Sequence, residues 1–361
     1  MSSSSAPSTA RVRRGILVSV PGIRCGRRFA ACWARCRPES RSSPLLKARR
    51  ARPERRGRAT FRPVADQLLK LEAPASGIRL SVCMATALSR EAAARHGLAP
   101  GSAAALAQGL TAALLLAAYE EARVDVQLEC NGPLRGLLVD GDETGAVRGL
   151  VRVTTLEGPP RTPRPSRFDP RPLLAVPHDE RAGMISVLRA PRGPQSAHRA
   201  AYPFAGADLG AALTLFLRSE REEGGEMALE VLCSQDDPLA SVAGVLVAAL
   251  PGADAERARV LGKPLRQGAL CTALASADGE SGLAHALLHS LDPGPLRRIS
   301  ALEPRFGCRC SRERVTRALR SVGAVELREM ADKDGGARLT CEFCGADYRF
   351  TATQLLEIAQ P

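Results

Sequence analysis

Cys308-Arg309-Cys310-Ser311-Arg312-Glu313-Arg314 and, after thirty residues between the two cysteine pairs, Cys341-Glu342-Phe343-Cys344-Gly345 are the stretches on which the reading of this chain turns. Two close pairs, each at a turn, let four thiolates reach one ion and complete the tetrahedron that zinc accepts. Such a shell has no open position for a substrate, so the site reads as closed and not hydrolytic. Around it Ser311 is placed to cap a helix carrying Val315, Ala318, Leu319 and Val322. Leu339 leads into the second pair, Tyr348 and Phe350 alternate as a short strand, and residues 354–358 read as a terminal helix. Residues 306–361 are therefore expected to form a small four-cysteine zinc-binding domain.

The chain has eleven cysteines, and the other seven are not arranged as ligands. Cys25, Cys32 and Cys36 lie near the N-terminus. Cys83, Cys130, Cys233 and Cys271 are singletons in apolar settings, where a small buried thiol is the usual state. This usage fits a reducing compartment and metal-held sulfur better than a secreted disulfide framework. The metal's role has two readings. A four-cysteine cluster can simply staple a small domain. Neighbouring thiolates can also be oxidised to local disulfides with loss of the ion, which would make the ligands a redox switch. His285 and His289, four apart on an expected helix, read as surface residues because the four cysteines already fill the shell.

Upstream, residues 255–305 show helical leucine spacing broken by Pro264, Gly279, Gly282, Pro293, Gly294 and Pro295. Short interrupted helices are weakly cooperative and depend on docking, so a metastable helical linker is expected there. Residues 65–254 mix strand and helix signals without a regular βαβ repeat, the mark of an α+β domain. Ser102 is placed to cap a helix running to about residue 122. Val124, Val126 and Leu128 alternate with polar neighbours, Asn131-Gly132 offers a turn, and 147–153 repeats the alternation. Seven prolines between Pro159 and Pro177 predict a surface connection without helix or sheet interior. Residues 184–188, 227–232 and 242–250 read as strands and 208–220 as a helix.

The 361 residues are 45% hydrophobic, 25% charged and 3% aromatic, enough for more than one core and unlike a fully disordered chain. The net charge of +13 is misleading. Residues 1–64 hold seventeen Lys and Arg against Glu39 and Glu54, whereas the remaining 297 hold 34 basic and 36 acidic groups. A nearly neutral body has no field for capturing a phosphate backbone, which disfavours nucleic acid as a partner. The basic tail lacks periodicity and is expected to stay disordered. It could be a transit peptide, a basic arm, or translated upstream sequence, the last favoured by the sharp onset of organised sequence at Ala65. The most apolar window, residues 103–119, contains Gln108, Gly109 and Thr111 and falls below membrane-spanning length, so it reads as a buried helix in a soluble protein.

The paired-cysteine motif with its Ser-Arg-Glu-Arg continuation resembles the redox-regulated heat-shock chaperones of 33 kDa, the 33 kDa chaperonin family. Further landmarks occur in the family's order: Asp66-Gln67-Leu68, Val126-Gln127-Leu128 with Gly132-Pro133-Leu134, Arg148-Gly149, Phe216-Leu217-Arg218-Ser219-Glu220 and Leu250-Pro251-Gly252-Ala253. The resemblance covers residues 65–361. It implies a cytoplasmic, ATP-independent holdase that is inactive when reduced and zinc-bound through Cys308, Cys310, Cys341 and Cys344. It further implies that oxidation forms Cys308–Cys310 and Cys341–Cys344 disulfides, releases zinc and unfolds the linker. The activated protein, as a homodimer, would hold unfolding clients for ATP-dependent foldases. The chain departs from the family pattern in its long Pro-rich insertion, in Arg221-Glu222 and in Gly244-Val245.

An enzyme is disfavoured. Gly262-Lys263 is followed by Pro264 and Gly279-Glu280-Ser281-Gly282 by Leu283, so neither a phosphate loop nor a nucleophile elbow is present. The rival is a zinc-ribbon module with a purely structural metal in a nucleic-acid- or protein-binding protein, for which Arg312, Arg314, Arg317 and Arg320 would supply a basic helix.

Overall fold

The computed structural model describes residues 23–25 (backbone only), 65–158, 166–175, 183–193, 196–204, 208–234, 237–276 and 291–360. In chain order, β1 (Ile23–Cys25) precedes the hairpin β2 (Gln67–Ala73) and β3 (Ile78–Met84). Helices α1 (Thr86–His96) and α2 (Pro100–Glu120) follow, then β4 (Arg123–Glu129), β5 (Gly136–Gly141) and β6 (Ala146–Val151). Next come β7 (Ser166–Arg167), the single turn α3 (Arg171–Leu174), β8 (Gly183–Ala190), β9 (His198–Phe204) and α4 (Leu209–Glu220). After β10 (Glu226–Cys233) and β11 (Ser241–Ala249) the chain forms α5 (Ala255–Pro264), a π-helical turn Leu265–Ala269 and α6 (Leu270–Ser276). It then runs through β12 (Arg297–Leu302), β13 (Arg305–Phe306), α7 (Arg312–Arg320), α8 (Ala324–Asp334), β14 (Gly336–Cys341), β15 (Asp347–Thr351) and α9 (Ala352–Ile358). The contacts divide the molecule into two compact units between Cys308 and Arg309.

The larger unit is the α+β body expected from the sequence. One six-stranded sheet runs β12-β2-β3-β11-β10-β7 and the other β13-β6-β5-β4-β8-β9; all pairings are antiparallel except β13 with β6. Helix α2 packs on both sheets, with Leu106, Leu110, Leu114, Leu115 and Leu116 fully buried. Alanines and glycines let the three layers approach. A Cβ on Gly244 would meet Thr111 and Leu115 side chains at 2.7 and 2.9 Å, and one on Gly149 would meet Leu106 at 3.0 Å. That crowding explains why β11 carries glycine at its centre.

Several expectations need correction. Ser102 does not cap α2, which starts at Pro100; its buried hydroxyl donates to the Val153 carbonyl (2.8 Å) and accepts the Leu156 N–H (3.1 Å). The helix is consequently 21 residues, long and apolar enough to cross a membrane, yet wholly buried between the sheets. The Pro-rich connection contains edge strand β7 and turn α3, whose Pro172 falls in the first turn where a proline N–H is not needed. Phe168, Leu173 and Leu174 from this stretch are buried. Within 255–305 the helical reading fails for β12, which pairs with β2 as the edge strand. Of the N-terminal tail, Ile23–Cys25 forms a strand on β14. His285 and His289 lie outside the described residues.

The second face of the first sheet is also apolar. Leu69, Leu71, Ile78, Leu80, Val82, Met84, Val245 and Val247 are covered by Ala258, Leu265, Leu270, Ala273, Leu274 and Leu291. This cover is an interrupted helix, because Pro264 lacks an N–H and Gly268 turns at φ +108°. It is anchored by charge as well as by packing. Glu226 of β10, only 1% exposed, pairs with Arg218 of α4 and with Arg266 of the π-helical turn, the latter at 2.5 Å. Gly262 lies directly on Glu226, where a Cβ would come within 2.2 Å of the glutamate Cβ.

Glu230, four residues further along β10 on the same face, is pushed up to about 7 by burial, against the pull of Arg167. Its folded-state affinity for a proton exceeds the unfolded value of 4.5, so its contribution is full below that pH and is lost as pH rises through about 7. The melting temperature should therefore fall less between pH 5 and pH 8 in Glu230→Gln than in the wild-type chain; parallel profiles would contradict this. Arg266→Ala leaves Glu226 with one partner. Removing one member of a buried pair costs on the order of 3 kcal/mol, and limited proteolysis should cut within 255–276 several-fold faster while leaving β2–β11 protected.

Candidate metal centre

The register of the second sheet delivers the first cysteine. β13 runs parallel to β6, with Arg305 opposite Ala146 and Phe306 opposite Val147, and the Gly307 N–H donates to the Val147 carbonyl at 2.8 Å. Arg95 stacks its guanidinium over the Phe306 ring at 4.8 Å, and Arg305 donates to the Thr144 carbonyl and hydroxyl. Cys308 therefore leaves a chain end fixed on both sides.

Cys310 precedes α7, whose N-cap is Ser311 as the sequence predicts; the hydroxyl accepts the Arg314 N–H at 3.3 Å. Cys341 ends β14. Its N–H donates to the Ala346 carbonyl (2.9 Å) and its carbonyl accepts the Gly345 N–H (2.8 Å), closing the turn that carries Cys344. Gly345 sits at φ +71°, a conformation other residues adopt at a cost. Thr351 and Gln354 form a reciprocal capping box on α9.

The four cysteine sulfurs all lie within 4.8 Å of one another, and Cys310 and Cys344, one from each pair, approach to 3.4 Å. Thiolates at about 2.3 Å from a tetrahedral zinc stand roughly 3.8 Å apart, so the donor set and its spacing fit that ion. Cys341 is buried and the other three are half-buried. Tyr348 faces the cluster. Its hydroxyl is pushed up first by a hydrogen bond to Cys310, then by burial and the neighbouring sulfurs. Sequence reading placed Tyr348 on a strand without this role; its position opposite Leu339, two residues before Cys341, supplies it.

The unit holding three of the ligands has a small core: Val315, Leu319, Leu327, Ala331, Leu339, Phe350, Leu355 and Ala359. A core of this size benefits from a metal staple. α8 was not anticipated, and α7 ends at Arg320, before Val322. Two arginines of the exposed basic helix are engaged within the unit. Arg312 donates to the Arg349 carbonyl and Gln354 and stacks on Phe350 at 4.3 Å, while Arg314 donates to the Arg309 carbonyl. The remaining described thiols stay apart from the cluster. Cys83 and Cys130 are buried and Cys233 and Cys271 half-buried, and burial pushes up the thiols of Cys83, Cys130 and Cys271.

Comparison with known proteins agrees with this picture. The sequence profile of the Hsp33 protein family matches residues 66–351. A 33 kDa chaperonin of Pelobacter propionicus is 32% identical over 300 residues, 82% of this chain and 95% of that protein. One from Rippkaea orientalis is 33% identical over 301 residues, covering 82% and 96%. Among solved structures, the 33 kDa chaperonin of Thermotoga maritima shares the fold, with a TM-score of 0.63 at 20% identity over 81% of this chain and 97% of that one.

Cys341→Ser should lower zinc affinity by roughly 100-fold or more, beyond what loss of a supporting contact typically costs, whereas Cys271→Ser should leave it unchanged. Chelator competition on the reduced protein reads both values, and equal loss in the two variants would mean that Cys341 is no ligand.

Proposed function

The chain belongs to the Hsp33 family of chaperones, and on that premise we propose that it is a redox-regulated, ATP-independent holdase whose switch is the cluster Cys308, Cys310, Cys341 and Cys344. Zinc bound by these four thiolates supplies folding free energy, on the order of 10–16 kcal/mol for small zinc modules. The sulfurs themselves perform the switching step. A thiolate attacks the O–O bond of a peroxide, forming a sulfenic acid and expelling hydroxide. The neighbouring thiolate then displaces the second oxygen as hydroxide and forms the disulfide. Two electrons pass to the oxidant per pair, so Cys308–Cys310 and Cys341–Cys344 consume two equivalents. Sulfurs engaged in disulfides no longer hold the ion as thiolates.

One observation carries the holdase reading. The first sheet presents a broad apolar face whose cover, residues 255–276, is a helix interrupted at Pro264 and Gly268. A cover of that kind can leave without unfolding the sheet beneath it, because α2 and the other sheet still bury the opposite face. Release would expose aliphatic side chains capable of binding unfolded segments of other proteins. This supports clients that are unfolding polypeptides; a homodimer in the oxidised state, transfer to ATP-dependent foldases and a cytoplasmic setting, where reduced thiols are the resting state, are carried by the family resemblance alone.

Reduced, zinc-loaded protein should fail to suppress aggregation of a thermally unfolding client, while protein oxidised by peroxide with heat should suppress it near stoichiometrically without ATP. Light scattering with a simultaneous colorimetric zinc readout makes the measurement. Equal protection in both states would indicate a constitutive holdase, and protection in neither would leave the metal purely structural.

A further inference from the structure

We propose that Arg148 is a positioning residue for the cysteine switch, holding the sulfur of Cys308 with one arm of its guanidinium while the rest of the group is clamped by Asp140. The inference rests on the cysteine cluster being the switch.

Asp125, Asp140 and Arg148 stand in one row across β4, β5 and β6, since Asp140 is opposite both Asp125 and Arg148. Asp140 is buried, its side chain only 3% exposed. It accepts Arg148 Nε at 3.0 Å and Nη2 at 2.9 Å, and Arg123 Nε and Nη2, both at 2.9 Å. Arg123 also pairs with Asp125 at 3.1 Å, so two guanidiniums and two carboxylates balance in this row and Asp140 serves to hold Arg148 in place. The fork geometry fixes the remaining nitrogen of Arg148. Nη1 points along the row and lies 3.8 Å from Cys308 Sγ, donating toward it. The parallel pairing of β13 with β6 brings the two together: Phe306 opposite Val147 puts Gly307 level with position 148, and Cys308 follows immediately at the strand end.

A guanidinium held in this way does two things to a thiolate. It supplies an N–H to a sulfur that carries negative charge, which orients the ligand and lowers its nucleophilicity, as supporting contacts do at metal centres. It also makes the contact depend on redox state. A disulfide sulfur carries no net charge and accepts hydrogen bonds weakly, so oxidation removes the reason for Cys308 to stay against the sheet. Arg152, just past the end of β6, lacks this role; it pairs with Glu129 at the surface. Lysine could not replace Arg148 fully, since a single ammonium cannot fork between Asp140 and the sulfur.

The test is selective alkylation of reduced, zinc-loaded protein by iodoacetamide, with Cys308 and Cys344 quantified separately by mass spectrometry. Arg148→Met should raise the Cys308 to Cys344 modification ratio about 10-fold, the lower end of the effect of removing a contact to a metal ligand, and speed zinc release at fixed peroxide. Arg152→Met should leave the ratio at the wild-type value. Arg148→Lys, which retains a cation for Asp140, guards against a variant that fails to fold; its ratio should also rise. An unchanged ratio in both Arg148 variants, or an equal rise in Arg152→Met, would overturn the proposal. No chaperone assay enters this readout. Zinc-binding protein that shows the altered ratio but never protects a client would sink the holdase reading and keep this one, and client protection with an unaltered ratio would do the reverse.

Discussion

A β-sheet that is apolar on both faces must be covered twice, and the organisation of the larger unit follows from how differently its first sheet is covered on its two sides. On one side lies α2, 21 uninterrupted residues clamped by a second sheet. On the other lie α5, a π-helical turn and α6, a helix that changes hydrogen-bond register at Pro264 and turns again at Gly268. Each fully buried Leu on either side contributes roughly 1.5–3 kcal/mol. The second cover has fewer of them, and its local hydrogen bonding is less cooperative.

The second cover also depends on polar groups beneath it. Glu226 and Glu230 sit on the otherwise aliphatic face of β10, each 1% exposed. A buried carboxylate costs more than it returns unless it is paired, so Glu226 makes docking conditional on Arg266 arriving in register with Arg218. Gly262 enforces the same register sterically, since no side chain fits between its backbone and the glutamate. Apolar packing alone would let the cover slide; the charge pair and the glycine give it one seat.

Much of this was legible in the sequence because it is local. The cysteine spacing brought four sulfurs together as expected, and Ser311 caps the helix it precedes. The interruptions at Pro264 and the central strands of the body were also readable from short windows. Where the reading failed, the deciding partner is distant. Arg297-Arg298-Ile299-Ser300-Ala301-Leu302 lacks a strong strand pattern because β12 is an edge strand, mostly exposed, and is a strand only because β2 pairs with it. The extent of α2 depended on Ser102 finding Val153 and Leu156 instead of its own helix. Position 148 carried a family landmark, Arg-Gly, with no chemistry attached to it.

The two residues of that landmark turn out to serve opposite faces of one strand. Gly149 points inward, where Leu106 and Leu110 of α2 leave no room for a side chain. Arg148 therefore points outward, since alternation along β6 allows nothing else. On that outer face Asp140 is its cross-strand neighbour, and the carboxylate orients the guanidinium toward the strand edge where β13 adds. The close packing of α2 and the placement of a cation beside Cys308 are thus two consequences of a single register. A one-residue slip of β6 would put a side chain into the helix and withdraw the arginine from the sulfur together. The fold of the body and the surroundings of the switch are, at this strand, the same constraint.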